Sequence, residues 1–141
     1  MAATKNWDKC VGMVVGQGRI LSGAAILPIL PEDPGVRKSV IYAQKGVSLR
    51  VPEATALVDA VMLGRVHRDY VYAGGHQYLI TTVMESAYYG RCTSTATAGG
   101  IVLVKTDKLL VLATYTEPIT AAEAIPYVHQ KASLFNNREP T

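Results

Sequence analysis

The sequence is poor in the residues on which catalysis and metal binding usually depend. It contains 2 cysteines and 3 histidines among 141 residues. Cys10 and Cys92 lie far apart with no CxxC pair, and no histidine has metal-ligand spacing to another histidine or to a cysteine. No HExxH zinc motif and no GxSxG nucleophile motif occurs. The sequence therefore predicts no enzyme, no metal site and no cofactor, with two reduced, packed thiols and surface histidines.

Long apolar runs and clustered charges are missing as well. The longest apolar run, from Gly23 to Leu30, is far shorter than the ~18 residues of a membrane-spanning helix. The first ten residues do not combine a basic segment with an apolar one, so no signal peptide is predicted. The net charge is +3 and the basic residues are scattered, which disfavours nucleic acid and leaves only weak attraction to anionic lipid. We therefore expect a cytoplasmic protein without a nucleic-acid partner.

Apolar residues and tyrosines, by contrast, are abundant. Hydrophobic residues make up 49% of the chain, and a chain of this length buries roughly 68% of the surface of its unfolded state. One core can therefore hold residues 1–141 as a single domain, which we expect to be a monomer. The tyrosines between Tyr70 and Tyr89 could form a platform for stacking nucleic-acid bases. Because tyrosine is a common strand residue and no basic stripe accompanies them, a place in the core or on the sheet is favoured.

Hydrophobic periodicity predicts one helix, two strands, a short helix, five strands and a final helix. The first helix follows Asn6, a residue suited to capping, and the short helix begins near Pro52. The loop Pro31–Gly35 separates the first two strands. The strands are predicted at Gly23–Leu30, Ser39–Gln44, Asp69–Ala73, His76–Val83 and Ser86–Cys92, and in the hairpin Ile101–Pro118 with Asp107 and Lys108 at its tip.

The last helix begins after Thr120, which precedes Glu123 at the spacing of a capping box. Apolar residues then recur at helical intervals, at Ile125, Val128, Ala132 and Phe135. Pro126 conflicts with an uninterrupted helix, because proline in a helix interior costs ~3 kcal/mol. The sequence therefore predicts either a break after one turn or a helix that starts with Pro126 in its first turn. Asn136–Asn137 is expected to end the element.

The order of these elements indicates an α+β fold with an antiparallel sheet. The runs at residues 23–30 and 101–104 are apolar on both alternations, so helices should cover both faces of the sheet. The two terminal helices each carry one apolar stripe, and we expect these stripes to pack side by side on one face. The stripes are Trp7, Val11 and Val14 in the first helix, and Ile125, Val128 and Ala132 in the last.

The C-terminal third of the chain resembles the profilin family. The segment "IVLVKTDKLLVLATYTEP" follows Gly99–Gly100 and precedes "ITAAEAIPYVHQKASLF", as the last hairpin and the last helix do in profilins. Earlier landmarks occur in family order: Trp7, "GAAIL", "LRVPEATALVDAV" and "YAGGHQYLIT". The resemblance extends over roughly residues 6 to 135. It implies a central antiparallel sheet with the terminal helices on one face and short helices on the other.

The resemblance also implies three partners and no catalytic site. The partners are monomeric actin, proline-rich segments and phosphoinositides. The family's actin-binding face corresponds here to Gln77, Leu79, Thr82, Arg91, Thr120, Ala122, Ile125 and Gln130. Its proline-binding groove corresponds to Trp7, Cys10, Ile41, Leu134 and Phe135. For Trp7, a core anchor between two helices is an equally good interpretation.

Weak, non-stereospecific binding to phosphoinositides is expected to depend on Arg65, Arg68 and Arg91, because the basic residues are few and dispersed. The resulting hypothesis is a divergent profilin that binds monomeric actin and regulates filament assembly at the cytoskeleton. One alternative keeps the fold but loses actin, which leaves an adaptor for proline-rich peptides or lipid. Another is a trafficking module of the longin or roadblock type, which shares a mixed sheet-and-helix architecture.

Overall fold

The computed structural model describes residues 7–16, 20–29, 41–66, 70–93, 99–106 and 109–133. Three helices and seven strands occur in the predicted order within these residues. In chain order they are α1 (Trp7–Val15), β1 (Gly23–Pro28), β2 (Ala43–Lys45), α2 (Val51–Met62), β3 (Val71–Ala73), β4 (His76–Val83), β5 (Ala87–Cys92), β6 (Gly99–Lys105), β7 (Leu109–Thr116) and α3 (Ala121–Ala132). None of these helices is long and apolar enough to cross a bilayer.

The seven strands form one antiparallel sheet with the order β2-β1-β7-β6-β5-β4-β3. The predicted hairpin is the β6–β7 pair, and it occupies the middle of the sheet. Both strands are buried at nearly every position, as their unbroken apolar sequence requires. The short strands β2 and β3 form the two edges.

Helices cover both faces of the sheet and divide the core into two layers, which confirms the α+β prediction. The first layer lies under α1 and α3, and its members from the sheet include Ile26, Val102, Val111 and Tyr115. The second layer lies under α2 and includes Leu27, Ile101, Leu103, Leu110 and Leu112. Because neighbouring residues of a strand point to opposite faces, each central strand contributes to both layers.

The terminal helices pack against each other on the same face, as predicted from their stripes. Val11 and Val14 of α1 share the first layer with Val128 and Ala132 of α3. Ile125 is half-buried against this layer. Trp7 is the remaining member of the predicted stripes, and its side chain is not among those that the structure describes.

Some predicted boundaries were wrong. Within the described residues the second strand spans Ala43–Lys45, where it pairs with Ala24 to Ile26 of β1, so it starts after Tyr42 and ends one residue beyond the predicted Gln44. Residues 39 and 40 of the predicted strand Ser39–Gln44 lie outside the described part of the chain. Among the described residues, β1 beyond Ile26 pairs only with β7, and Pro28, which has no N–H to donate, ends the strand. The predictions for Asn6, the loop 31–35, the hairpin tip 107–108 and the helix end at 136–137 concern residues outside those described.

Pro126 neither breaks α3 nor starts it, so both predictions for this proline were wrong. The helix is continuous from Ala121 to Ala132 with Pro126 as its sixth residue. The proline removes the N–H that would donate to the carbonyl of Ala122. Both residues are exposed, so this carbonyl lies on the outer side of the first turn. Burial of the opposite face of α3, through Ala124, Val128 and Ala132, holds the helix on the sheet.

Candidate functional site

Among the described elements, the terminal helices lie mainly over β1, β2, β6 and β7, so strands β4 and β5 extend beyond them on the same face of the sheet. Helix α3 lies over β6 and β7, on the face to which Tyr89 and Arg91 of β5 also point. In the β4–β5 pairing, Leu79 is opposite Arg91 and Thr82 is opposite Tyr89. These four residues and Gln77 form what we call the β4–β5 shelf. Thr82 and Arg91 are exposed, whereas the other three are half-buried.

A β-bulge explains how Thr82 joins this shelf. Simple alternation along β4 would place Thr82 on the opposite face from Leu79. The register shifts between Ile80 and Thr82, so that Thr81 is the extra residue. The Thr81 hydroxyl donates to the carbonyl of Tyr89 over 3.4 Å. The bulge therefore turns Thr82 to the same side as Gln77 and Leu79.

One flank of α3 borders the shelf. The phenol oxygen of Tyr89 lies 2.6 Å from Nε2 of His129, so His129 points from α3 towards β5. Seven residues of an α-helix make almost two turns, which puts Ala122 within about 20° of His129 around the axis. Ile125 lies about 40° away. We call Ala122, Ile125 and His129 the α3 flank.

The structure thus brings most of the predicted actin-binding residues onto one continuous surface, the shelf together with the α3 flank. Gln130 is exposed and lies about 80° around the helix from Ala122, at the rim of this surface. Thr120 lies just before the helix, where its N–H and hydroxyl donate to the Glu123 carboxylate over 3.2 and 3.3 Å. This contact confirms the predicted helix start.

A groove of about 560 Å³ adjoins the start of α3. It lies between the end of β7, the beginning of β6 and the first residue of the helix. Its lining residues are Gly99, Tyr115, Glu117, Pro118, Ile119, Thr120 and Ala121. A Cβ atom at the neighbouring Gly100 would overlap the Tyr115 hydroxyl and come within 2.5 Å of the Gly90 carbonyl oxygen. Glycine at position 100 therefore leaves the space that the Tyr115 ring occupies.

The predicted proline-binding residues are only partly brought together. Trp7 is the first residue of α1, and Leu134 and Phe135 lie outside the described residues. Cys10 is buried in the layer beneath the terminal helices, and this burial raises the pKa of its thiol against the opposing effect of Lys9. The prediction for Ile41 was wrong, because Ile41 packs against the α2 layer on the opposite face. Its neighbour Tyr42 packs against the layer of α1 and α3 instead.

Two of the three predicted lipid-binding arginines lie on opposite sides of the sheet. Arg65 follows the end of α2 and is exposed, on the side of the sheet that α2 covers. Arg91 is exposed on the shelf, on the side of α1 and α3. Arg68 is outside the described residues. Among the described residues, no group of three or more histidine, cysteine, aspartate or glutamate side chains could hold a metal ion.

Sequence reasoning missed four aromatic or imidazole residues of these surfaces. Tyr42 is an aromatic residue on the face of the terminal helices. Tyr72 of β3 is exposed, and its hydroxyl accepts from Gln77 Nε2 over 3.3 Å, so it extends the shelf to the sheet edge. Tyr89 and His129 join the shelf to α3. Two sequence patterns could have indicated this pair. His129 follows Ala122 by seven residues, which places both on the same side of a helix, and Tyr89 precedes Arg91 by two residues, which places both on the same face of a strand.

A family model described as Profilin matches residues 5–139 of the chain. Profilin-A of Physarum polycephalum is 28% identical over 129 residues, which cover 90% of this chain and 93% of that protein. Solved structures that share the fold include one profilin and two profilin complexes. Profilin II of Acanthamoeba castellanii has a TM-score of 0.75 at 21% identity, with 94% of this chain and 98% of that chain covered.

The other two structures are complexes. LokiProfilin1 with rabbit actin has a TM-score of 0.69 at 12% identity, covering 92% of this chain and 93% of that chain. Mouse profilin IIa with a double repeat from the FH1 domain of mDia1 has a TM-score of 0.68 at 11% identity, covering 94% and 97%. The family model covers residues 5–139, which include every helix and strand described above. The chain therefore belongs to the profilin family.

Proposed function

We propose that this protein binds monomeric actin and thereby regulates the assembly of actin filaments. The observation that carries the proposal is the continuous surface made by the β4–β5 shelf and the α3 flank. It combines residues from two strands and one helix, all on the same side of the sheet. The family assignment removes the longin or roadblock alternative.

A partner protein needs a broad surface, because a specific interface of ordinary size buries ~1,600 Å² in total. The shelf spans two strands and the flank spans two turns of α3. Among the candidate contact residues only Arg91 carries a fixed charge, and the others are apolar or neutral polar groups. Affinity for actin should therefore depend weakly on salt, since few charge pairs contribute to it.

The complex of LokiProfilin1 with rabbit actin supports this proposal, because LokiProfilin1 has the same fold and is bound to actin in that structure. Action on monomeric actin requires a cytoplasmic, cytoskeleton-associated protein, and we include this localisation in the proposal. No catalytic step is needed, since binding alone removes monomers from spontaneous assembly.

A second proposed activity is the binding of proline-rich segments on the face of the molecule that carries α1 and α3. Extended proline helices are pre-organised and dock on aromatic side chains at little entropic cost. Tyr42 on this face supports the activity, because it offers an aromatic ring where the sequence predicted only Ile41. The mouse profilin complex with an FH1 double repeat supports it by kinship of fold. Weak phosphoinositide binding through Arg65, Arg68 and Arg91 is a third proposed activity.

The test is assembly of pyrene-labelled actin with increasing amounts of the protein. We expect spontaneous assembly to slow, because bound monomers no longer nucleate filaments. Unchanged assembly at tens-of-micromolar excess would instead favour the adaptor alternative, in which the fold is kept and actin binding is lost. A titration with a polyproline peptide, followed by Trp7 fluorescence, measures the second activity independently of actin.

A further inference from the structure

One hydrogen bond connects the strand part and the helix part of the proposed actin-binding surface. The phenol oxygen of Tyr89 on β5 lies 2.6 Å from Nε2 of His129 on α3. The two rings meet edge to face, with their centroids 5.9 Å apart and their planes at 74°. This geometry combines a hydrogen bond with a favourable aromatic contact.

The two residues lie at the boundary between the shelf and the α3 flank. Tyr89 is opposite Thr82 on β4 and opposite Val102 on β6, so it occupies the inner border of the shelf. His129 shares the α3 flank with Ala122 and Ile125. The pair therefore lies between the strand part and the helix part of the proposed surface.

The contact is compatible with either direction of the hydrogen bond. Burial raises the pKa of Tyr89 above its usual value, so the phenol keeps its proton at neutral pH. It can donate to the lone pair of Nε2, or accept from Nε2–H in the other tautomer. In both cases the distance between β5 and α3 at this point is set by the same two atoms.

The core contacts of α3 do not set this distance by themselves. Ala124, Val128 and Ala132, together with the half-buried Ile125 and Tyr127, pack α3 against the sheet and against α1. These contacts are apolar and non-directional, so they fix the height of the helix above the sheet more firmly than its exact position along the sheet. The Tyr89–His129 bond adds a directional contact one strand further out.

We propose that Tyr89 and His129 are a positioning pair, which fixes the α3 flank relative to the β4–β5 shelf so that both halves of the actin-binding surface are aligned before binding. This inference rests on the proposed function. A surface in two parts binds more weakly when its parts must be ordered during association, because the ordering lowers the net affinity. Loss of the bond should therefore weaken actin binding about fivefold to tenfold, the range that one hydrogen bond usually contributes.

A double-mutant cycle tests the pair directly. Tyr89→Phe removes only the hydroxyl, His129→Leu removes the imidazole, and the double variant removes both. The measured quantities are the Kd for monomeric actin, the melting temperature and the Kd for a polyproline peptide. We expect each single variant to lose about fivefold to tenfold in actin affinity and the double variant to lose little more than a single one, since contacting residues are non-additive.

A conservative variant separates positioning from simple loss of structure. In His129→Gln the side-chain amide can still bond the phenol, so actin affinity should stay within about threefold of wild type. Peptide affinity, which depends on other residues, should be unchanged in every variant. Strictly additive losses, or losses of peptide binding in proportion to melting temperature, would overturn the inference. Wild-type protein that binds no actin would defeat the proposed function itself, whereas normal binding by Tyr89→Phe would defeat only the positioning pair.

Discussion

Glu53 Oε2 on α2 accepts a hydrogen bond of 2.9 Å from the backbone N–H of Gly75, in the turn between β3 and β4. Its other carboxylate oxygen accepts from the N–H of Gly74 at 3.1 Å and from that of Arg50, before the helix, at 3.0 Å. Glycine suits this turn because Gly74 and Gly75 both have positive φ angles, of 63° and 84°. One side chain therefore starts the helix and ties it to the sheet that it covers.

Replacement of this carboxylate should lower stability more than the same change in α3. Glu123 has the equivalent position in α3, but among the described residues it accepts hydrogen bonds from Thr120 alone. We expect Glu53→Gln to lower the free energy of unfolding by about 2 kcal/mol, through weaker bonds to three N–H groups. Glu123→Gln should lower it by about 1 kcal/mol or less. Urea unfolding of both variants measures the difference, and equal effects would mean that the bonds to Gly74 and Gly75 contribute nothing.

The same carboxylate predicts a pH dependence. Partial burial alone would raise the pKa of Glu53, but the N–H groups of Arg50, Gly75 and Gly74 outweigh it and hold the pKa below its usual 4.5. A lowered pKa in the folded state means that the stabilisation is complete above about pH 4.5 and disappears as the pH falls through the folded-state value. The stability gap between wild type and Glu53→Gln should therefore narrow below pH 4.5.

The close approach of Gly100 and Tyr115 makes a second prediction about stability. A methyl group at position 100 would overlap the Tyr115 hydroxyl and crowd the Gly90 carbonyl. Gly100→Ala should therefore destabilise the fold by about 2 kcal/mol. Gly12 in α1 is the matched control, because a Cβ there meets nothing within 4 Å. Gly12→Ala should stabilise by about 0.5–1 kcal/mol, as expected for a helix interior. Thermal unfolding of the two variants should thus shift in opposite directions.

Binding of proline-rich peptide should depend on Trp7 and on Tyr42. We expect Trp7→Ala to lose about 2 kcal/mol or more, roughly thirtyfold in affinity, and Tyr42→Ala to lose about 1–2 kcal/mol. Ile41→Ala is the control, because Ile41 packs on the opposite face of the sheet. Isothermal titration with a polyproline peptide gives the three affinities. If folded Trp7→Ala binds as wild type does, the peptide occupies another surface.

Phosphoinositide binding should be weak and sensitive to salt. Arg65 and Arg91 lie on different sides of the sheet, so a flat membrane cannot engage both at once. Each contact with an anionic surface contributes about 1 kcal/mol and is screened within a Debye length. Arg65→Ala and Arg91→Ala should each reduce binding to phosphoinositide vesicles by a few fold at low salt. Binding that persists in high salt would reveal a structured headgroup pocket instead.

The element order and the two-layer core were predictable from the sequence, because they follow from local periodicity. The apolar runs of β1 and β6 indicated that helices cover both faces of the sheet. The apolar stripes of the two terminal helices indicated that these helices pack against each other. Pro126 was misjudged for the same local reason. A rule about isolated helices gives the cost of proline, but it does not include the burial of Ala124, Val128 and Ala132 that stabilises this helix.

Predictions that depended on side-chain direction were less reliable. The assignment of Ile41 to the face of the terminal helices differed from the structure by one residue, and one residue in a strand reverses the face. The bulge after Ile80 determines which face of the sheet Thr82 occupies, and the sequence pattern does not indicate where such a bulge occurs. The Tyr89–His129 bond joins residues 40 positions apart, so it required the tertiary structure.

The proposed actin-binding surface leads to the prediction that most directly tests the proposed function. Ala122 is exposed on the α3 flank, and its small side chain lets a partner approach the helix closely. Ala122→Glu should leave the fold intact, because the side chain points to solvent and the first turn of a helix tolerates a negative charge. It should weaken actin binding by about 2 kcal/mol or more, roughly thirtyfold, since a bulky charge would be buried without a partner.

Ala56→Glu provides the matched control for this charge. Ala56 is exposed on α2, which covers the opposite face of the sheet, so the same substitution there should leave actin binding unchanged. The measurement is assembly of pyrene-labelled actin with each variant and with wild type. Wild type and Ala56→Glu should slow spontaneous assembly equally, whereas Ala122→Glu should not. If Ala56→Glu loses activity and Ala122→Glu keeps it, actin binds on the α2 side and the shelf with the α3 flank is not the interface.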